Sequence, residues 1–241
     1  MKIFIALFVF VFPVLSLAAE PFPALIAANP GARELKEVNA TPQMTVDDFQ
    51  NRNYKLGKMP LSWRTWPFQR SKALKVYKVT EESGERFLRA YDDNDYSIII
   101  FNHFEWDIKK YPILSWRWRA TTLPQGAFEN NDELNDSACG VSVGIGRLDG
   151  KALKYVWSSS LPVGTIVTRR EGSLKIKVLD QGTAKVGQWQ SHTIDVVKDY
   201  KELFGEDLGR DPTGVGILTD ANATHTKAGC DYDDFVVSSG K

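Results

Sequence analysis

Residues 114–119 read Leu114-Ser115-Trp116-Arg117-Trp118-Arg119, with large apolar side chains at the even positions and polar or charged ones at the odd. Successive side chains of a β-strand point to opposite faces, so this stretch predicts a strand with one face in a core and the other in water. Val141, Val143 and Ile145 repeat the pattern against Ser142, Gly144 and Gly146. Further short runs bounded by turn residues lie at 74–79, 86–91, 96–101, 153–159, 174–179, 190–197, 215–219 and 232–237. That makes about ten strands with no alternating strand–helix rhythm, and it predicts an all-β fold: a two-sheet antiparallel β-sandwich. One short helix is expected near 199–204, where Tyr200, Leu203 and Phe204 share a face and Gly205 ends the run.

The first residues carry one lysine, Lys2, then an apolar run that closes on Ser16-Leu17-Ala18-Ala19. This layout predicts a signal peptide at 1–19, cleaved after Ala18 or Ala19. The run is shorter than the roughly 20 residues that cross a bilayer and is broken by Pro13. Residues 20–44, with Pro21, Pro23, Pro30, Gly31 and Pro42, read as an extended linker, and 45–239 as one domain. The expected location is the periplasm or the medium, not embedded in a membrane. Lysine plus arginine total 30 and aspartate plus glutamate total 30, which removes the electrostatic case for a nucleic-acid partner. In an oxidising compartment Cys139 and Cys230 either form a disulfide or pack as two small apolar thiols.

Catalytic signatures are missing. His103, His192 and His225 fall in no zinc spacing, and no phosphate-cradling or dinucleotide-binding glycine loop occurs. Gly140-Val141-Ser142-Val143-Gly144 matches G-x-S-x-G, but inside an alternating strand it lacks the strand-to-helix turn a nucleophile needs. Binding candidates are more numerous. Trp157 is the tryptophan expected to stack on a ligand ring, although core filling is the ordinary role for it and for Trp106, Trp116, Trp118 and Trp189. Arg117 and Lys154 are the candidate cationic site for a charged or hydroxyl group, and Asp136 and Asp220 the candidate hydrogen-bond acceptors. Acidic runs at 92–95, 129–136 and 231–234 suit turn chemistry and match no EF-hand spacing. Asp47 and Asp48 open the domain while Asp233 and Asp234 close it. First and last strands of a sandwich are often neighbours, so these four carboxylates are the candidate ligands of a structural calcium, or acceptors of a shared set of loop amides.

Leu114-Ser115-Trp116-Arg117-Trp118, Asp136-Ser137-Ala138-Cys139-Gly140-Val141, Leu153-Lys154-Tyr155-Val156-Trp157-Ser158-Ser159, Asp199-Tyr200 with Leu203-Phe204-Gly205, and Leu218-Thr219-Asp220-Ala221-Asn222 together resemble the DUF3047 family of exported bacterial proteins. The resemblance spans most of 45–238. It implies a jelly roll similar to galactose-binding-like and carbohydrate-binding modules, and no established activity. Where such jelly rolls carry calcium it lies near the first and last strands, which is consistent with the four aspartates named. The family usually has small residues where this chain has Cys139 and Cys230, and the paired departure favours the bridge. The functional expectation is a non-catalytic envelope protein holding a saccharide or other polar small ligand. The alternatives are a lyase-like enzyme using Arg117 with Lys154, Tyr155 or His103, and a structural or assembly factor of the envelope.

Overall fold

The computed structural model describes residues 41–93, 95–146 and 150–240. The expected signal peptide and residues 20–40 of the expected linker lie outside the described residues. In chain order the strands are β1 (Gln43–Asp47), β2 (Trp63–Arg64), β3 (Tyr77–Glu82), β4 (Glu85–Asp92), β5 (Ile100–Asn102), β6 (Ile113–Thr122) and β7 (Cys139–Ile145). They continue as β8 (Lys151–Ser158), β9 (Ile166–Arg169), β10 (Leu174–Gln181), β11 (Gln190–Asp195), β12 (Pro212–Ile217) and β13 (Ala228–Ser238), with helices α1 (Arg70–Val76) and α2 (Val196–Phe204).

The strands form two sheets. One runs β11-β6-β13-β4-β3, with β1 also paired to β13, and the other runs β2-β5-β12-β7-β8-β10-β9. Alternation decides what lies between them. Leu114, Trp116, Trp118 and Ala120 on β6 are buried, as are Val141, Val143 and Ile145 on β7 and Leu153, Tyr155 and Trp157 on β8. Trp116 meets Tyr155 across the sandwich with ring centroids 5.6 Å apart. No helix among the described residues is long and apolar enough to cross a membrane.

The sandwich differs from the expectation in several places, among them β5, which takes only Ile100 and Phe101 from the run expected at 96–101. The run at 74–79 is split: Arg70–Val76 is helical, burying Ala73 and Val76 three residues apart on one face, and only from Tyr77 does the chain extend. The pairing is not wholly antiparallel, because β10 runs parallel to β8, Ile176 beside Lys154 and Val178 beside Val156. The intervening residues include β9, which pairs antiparallel on the outer side of β10. The short helix is longer at its start, since the Asp195 carboxylate accepts the Lys198 amide at 2.9 Å and ends β11 as a helix cap. It stops where expected, at Gly205 in the left-handed region (φ 73°).

Cys139 on β7 and Cys230 on β13 form a disulfide that joins the two sheets, 91 residues apart in sequence. Beside it the Tyr232 hydroxyl lies 3.0 Å from the Gly140 amide, which donates to it, and 2.7 Å from the Thr219 hydroxyl. Closing a loop of that length removes unfolded-state entropy worth roughly 3 to 5 kcal/mol. The double variant Cys139→Ala/Cys230→Ala is therefore expected to lose about that much unfolding free energy in urea titrations. A change below about 1 kcal/mol would contradict a stapling role for the bridge.

Candidate functional site

The parity that sends Val141, Val143 and Ile145 inward sends Ser142 and Gly144 outward, and the strand register extends this row by row across the second sheet. At one level Phe101, Gly216, Ser142, Lys154 and Ile176 are neighbours on successive strands. At the next level the row is Gly214, Gly144, Ala152 and Leu174. Small residues thus occupy the middle of the outer face and larger ones its margins. The result is a trough of about 640 Å³, lined by these residues except Ile176, together with Trp66, Ile99, His103 and Arg170 among others.

The floor needs its glycines. Gly214 has φ 151°, and a Cβ there would sit 2.2 Å from the Asn102 carbonyl oxygen. A Cβ on Gly140 would lie 2.8 Å from the Leu218 oxygen and 3.0 Å from Cε of Lys154. The G-x-S-x-G spacing, unproductive as a nucleophile motif, places two glycines and a serine side by side on this face.

One wall is aromatic. Trp66 precedes the helical turn Pro67–Gln69, is 40% exposed, and meets Phe101 edge-on at 5.8 Å. Phe101 in turn meets His103 at 4.8 Å. Opposite the wall stands Lys154, only 8% exposed. Behind it lie buried acids. Glu129 accepts from Ser158 at 2.5 Å and Ser137 at 3.3 Å. Asp220 accepts from the Ser137 amide at 3.3 Å and the Ser97 hydroxyl at 3.1 Å. Burial raises the pKa of the Glu129 carboxyl, against the opposing pull of Ser158 and Lys154. Burial likewise pushes Asp220 up to about 6, the Lys154 charge pulling it down and Asp136 pushing it up.

Of the residues expected to bind ligand, three gather here. Lys154 faces the trough, Asp220 lies behind it, and Asp136 stands close enough to raise the Asp220 pKa. Asp136 is buried, however, and accepts from the Ala223 amide and from the Thr224 amide and hydroxyl, at 3.1, 2.7 and 2.7 Å. The other two lie elsewhere. Trp157 is fully buried, its indole N–H donating to the Gly182 carbonyl at 3.0 Å, so it offers no ring face to a ligand. Arg117 stands on β6 of the opposite sheet and pairs with Asp233 at 2.7 Å, with Asp234 at 2.9 Å and with Glu85. Its guanidinium stacks 4.6 Å from the centre of the Trp189 ring. Arg117 and Lys154 therefore form no joint cationic site.

The aspartates proposed for calcium are also divided. Asp47 is saturated by protein donors: the Phe49 amide at 2.9 Å, the Tyr54 hydroxyl at 2.7 Å, Ser62 at 3.0 Å and the Trp63 indole at 2.9 Å. Asp48 accepts the Gln50 amide, and Asp233 and Asp234 face Arg117. Among the described residues no group of three or more His, Cys, Asp or Glu side chains is placed to hold a metal ion. The trough wall, by contrast, was hidden from sequence reasoning. Trp66 lies beside a two-residue strand, too short to show alternation.

These features define a class, an all-β sandwich with an open trough on one outer face. The chain belongs to the DUF3047 family, described as a protein of unknown function, whose model matches residues 61–236. No curated protein matches it. Among solved structures it is similar to the family 11 carbohydrate-binding module of the cellulosomal cellulase Lic26A-Cel5E of Clostridium thermocellum. That likeness has a TM-score of 0.41 at 10% identity, over 83% of this chain and 96% of that one. It is also similar to TmCBM61 in complex with β-1,4-galactotriose (TM-score 0.35, 12% identity, 76% of this chain and 92% of that one). A third is the xyloglucanase domain of NopAA from Sinorhizobium fredii in complex with cellobiose (TM-score 0.38, 8% identity, 76% and 100%).

Two outcomes follow from the buried charges. Asp220 holds its proton more tightly folded than unfolded, so its contribution is full below about pH 4 and is lost as pH rises through about 6, a change of roughly 3 kcal/mol. Asp220→Asn is expected to flatten the fall in urea-measured stability between about pH 4 and about pH 7, and an unchanged slope would contradict the assignment. On the other sheet, Arg117→Ala leaves the buried Asp233 without its partner and is expected to cost about 3 to 5 kcal/mol by the same titration.

Proposed function

We propose that this protein is an exported, non-catalytic binding protein of the cell envelope that holds a saccharide or other polar small ligand in the trough. The observation that carries the reading is the composition of that surface. A glycine-rich floor lets a flat ring approach the backbone, Trp66 and Phe101 offer aromatic surface to its apolar C–H face, and Lys154 supplies donors. A mostly apolar cleft of about 640 Å³ with a few convergent polar groups is the usual form of a small-ligand site.

An enzyme acting on a polysaccharide is the second reading, favoured by one fact. Of the four side chains considered for lyase chemistry, Lys154 and His103 both line the trough. Tyr155 is buried in the core and Arg117 stands on the other sheet. Glu129 and Asp220, two carboxyls with raised pKa near Lys154, lie outside the trough lining, which favours binding over turnover. A role as a structural factor finds support only on the opposite face, where Arg89, Arg117 and Arg119 all pair with acids of the same sheet.

Thermal-shift measurements against saccharides, uronates and nucleotides test the reading, because a ligand that prefers the native state raises the melting temperature. Trp66→Ala is expected to weaken binding by about tenfold or more while changing stability by less than about 0.5 kcal/mol. Trp157→Ala is expected to cost about 3 to 5 kcal/mol of stability as a core truncation. A Trp66→Ala protein that binds as tightly as the parent would remove the trough from consideration.

A further inference from the structure

We propose that the trough selects an uncharged glycan, with Lys154 as the specificity-determining residue that donates to its hydroxyl oxygens; this rests on the binding reading above. Lys154 stands beside Ser142 and Ile176 in the sheet, and its side chain lies over Gly140, whose missing Cβ would be 3.0 Å from Cε and 3.7 Å from Nζ. The side chain is more than nine-tenths buried yet lines the trough. Its ammonium takes part in no hydrogen bond or ion pair among the described residues. Three N–H donors are thus held, largely desolvated, against a surface open to ligand.

The charge on that ammonium is balanced from behind. Glu129 and Asp220 both feel it, and both are fixed by serine donors outside the trough lining. Lys154 therefore has its counter-charge but lacks acceptors. Sugar hydroxyls supply lone pairs without adding charge. A uronate carboxylate would be a third negative group around one ammonium in a poorly solvated place, where like charges repel most strongly. The other charges at the trough have both signs: Glu105, Arg170, and Lys151 paired with Glu206 at 2.6 Å.

The experiment is affinity electrophoresis of the mature protein in gels containing neutral polymers (hydroxyethyl cellulose, galactomannan) or polyuronates (polygalacturonate, alginate), at about pH 7.5 and about 0.15 M salt. Retardation by a neutral polymer and none by polyuronates is expected. Lys154→Met, which keeps the stem and removes the donors, is expected to weaken neutral binding by about tenfold or more. Since that variant also strips two buried acids of their counter-charge, which destabilises the fold, Asp220→Asn provides the second arm. With one acid neutralised, Asp220→Asn is expected to gain polyuronate binding. Polyuronates bound more tightly than neutral polymers by the parent, a folded Lys154→Met that binds undiminished, or Asp220→Asn without gain each overturn the selectivity while leaving the binding reading intact. Retardation by no polymer of either kind overturns both.

Discussion

The bond between Cys139 and Cys230 and the hydroxyl of Tyr232 beside it hold the two sheets together at one point, and the rest of the molecule is arranged around that point. Cys139 and Gly140 are adjacent on β7; the first is bonded to β13, and the second donates its amide to Tyr232 on the same strand. Gly140 is also where the side chain of Lys154 lies. The clasp that fixes the spacing of the sandwich therefore also fixes the surface against which the trough's lysine rests. Core and site share a residue, so slackening one displaces the other.

Much of the fold was legible because alternation in a half-buried strand is a strong constraint. Leu114, Trp116 and Trp118 are inside and Arg117 and Arg119 outside, as their spacing required. The same spacing could not say which residues share a sheet, and for that reason Arg117 and Lys154 read as neighbours when they stand on opposite sheets. Parity also placed Leu153, Tyr155 and Trp157 on one face of β8 without saying that this face was the core. The parallel pairing of β8 with β10 depends on a long excursion through β9, and no local pattern encodes it. Neither did periodicity reveal the helix at Arg70–Val76, whose inward face is only Ala73 and Val76.

The trough was the least legible part. Its floor is made by what is missing, the side chains of Gly144, Gly214 and Gly216, and its aromatic wall comes from Trp66 in an irregular segment. Three of the five residues expected to bind ligand meet around it, yet only Lys154 reaches its surface. Asp136 and Asp220 are acceptors whose donors all belong to the protein, so they serve the site through charge and position. The acids expected to hold calcium are likewise occupied: Asp47 by hydroxyl, indole and amide donors, Asp233 by Arg117.

The order of strands in the first sheet bears on how the chain reaches this state. β3 and β4 form one antiparallel pair and β6 and β11 another, but β13 must enter between β4 and β6 before the sheet is whole. Until then both pairs present an open edge, and contacts between segments so far apart in sequence form slowly. Arg89 on β4 and Arg119 on β6 both bind Asp231 of β13, through contacts of 2.8 and 2.6 Å. If β4 and β6 joined directly, those two guanidinium groups would lose the buried carboxylate they share and keep only the partly exposed Glu82 of β3, which contacts both. The buried aspartate thus makes β13 the favoured partner of both edges.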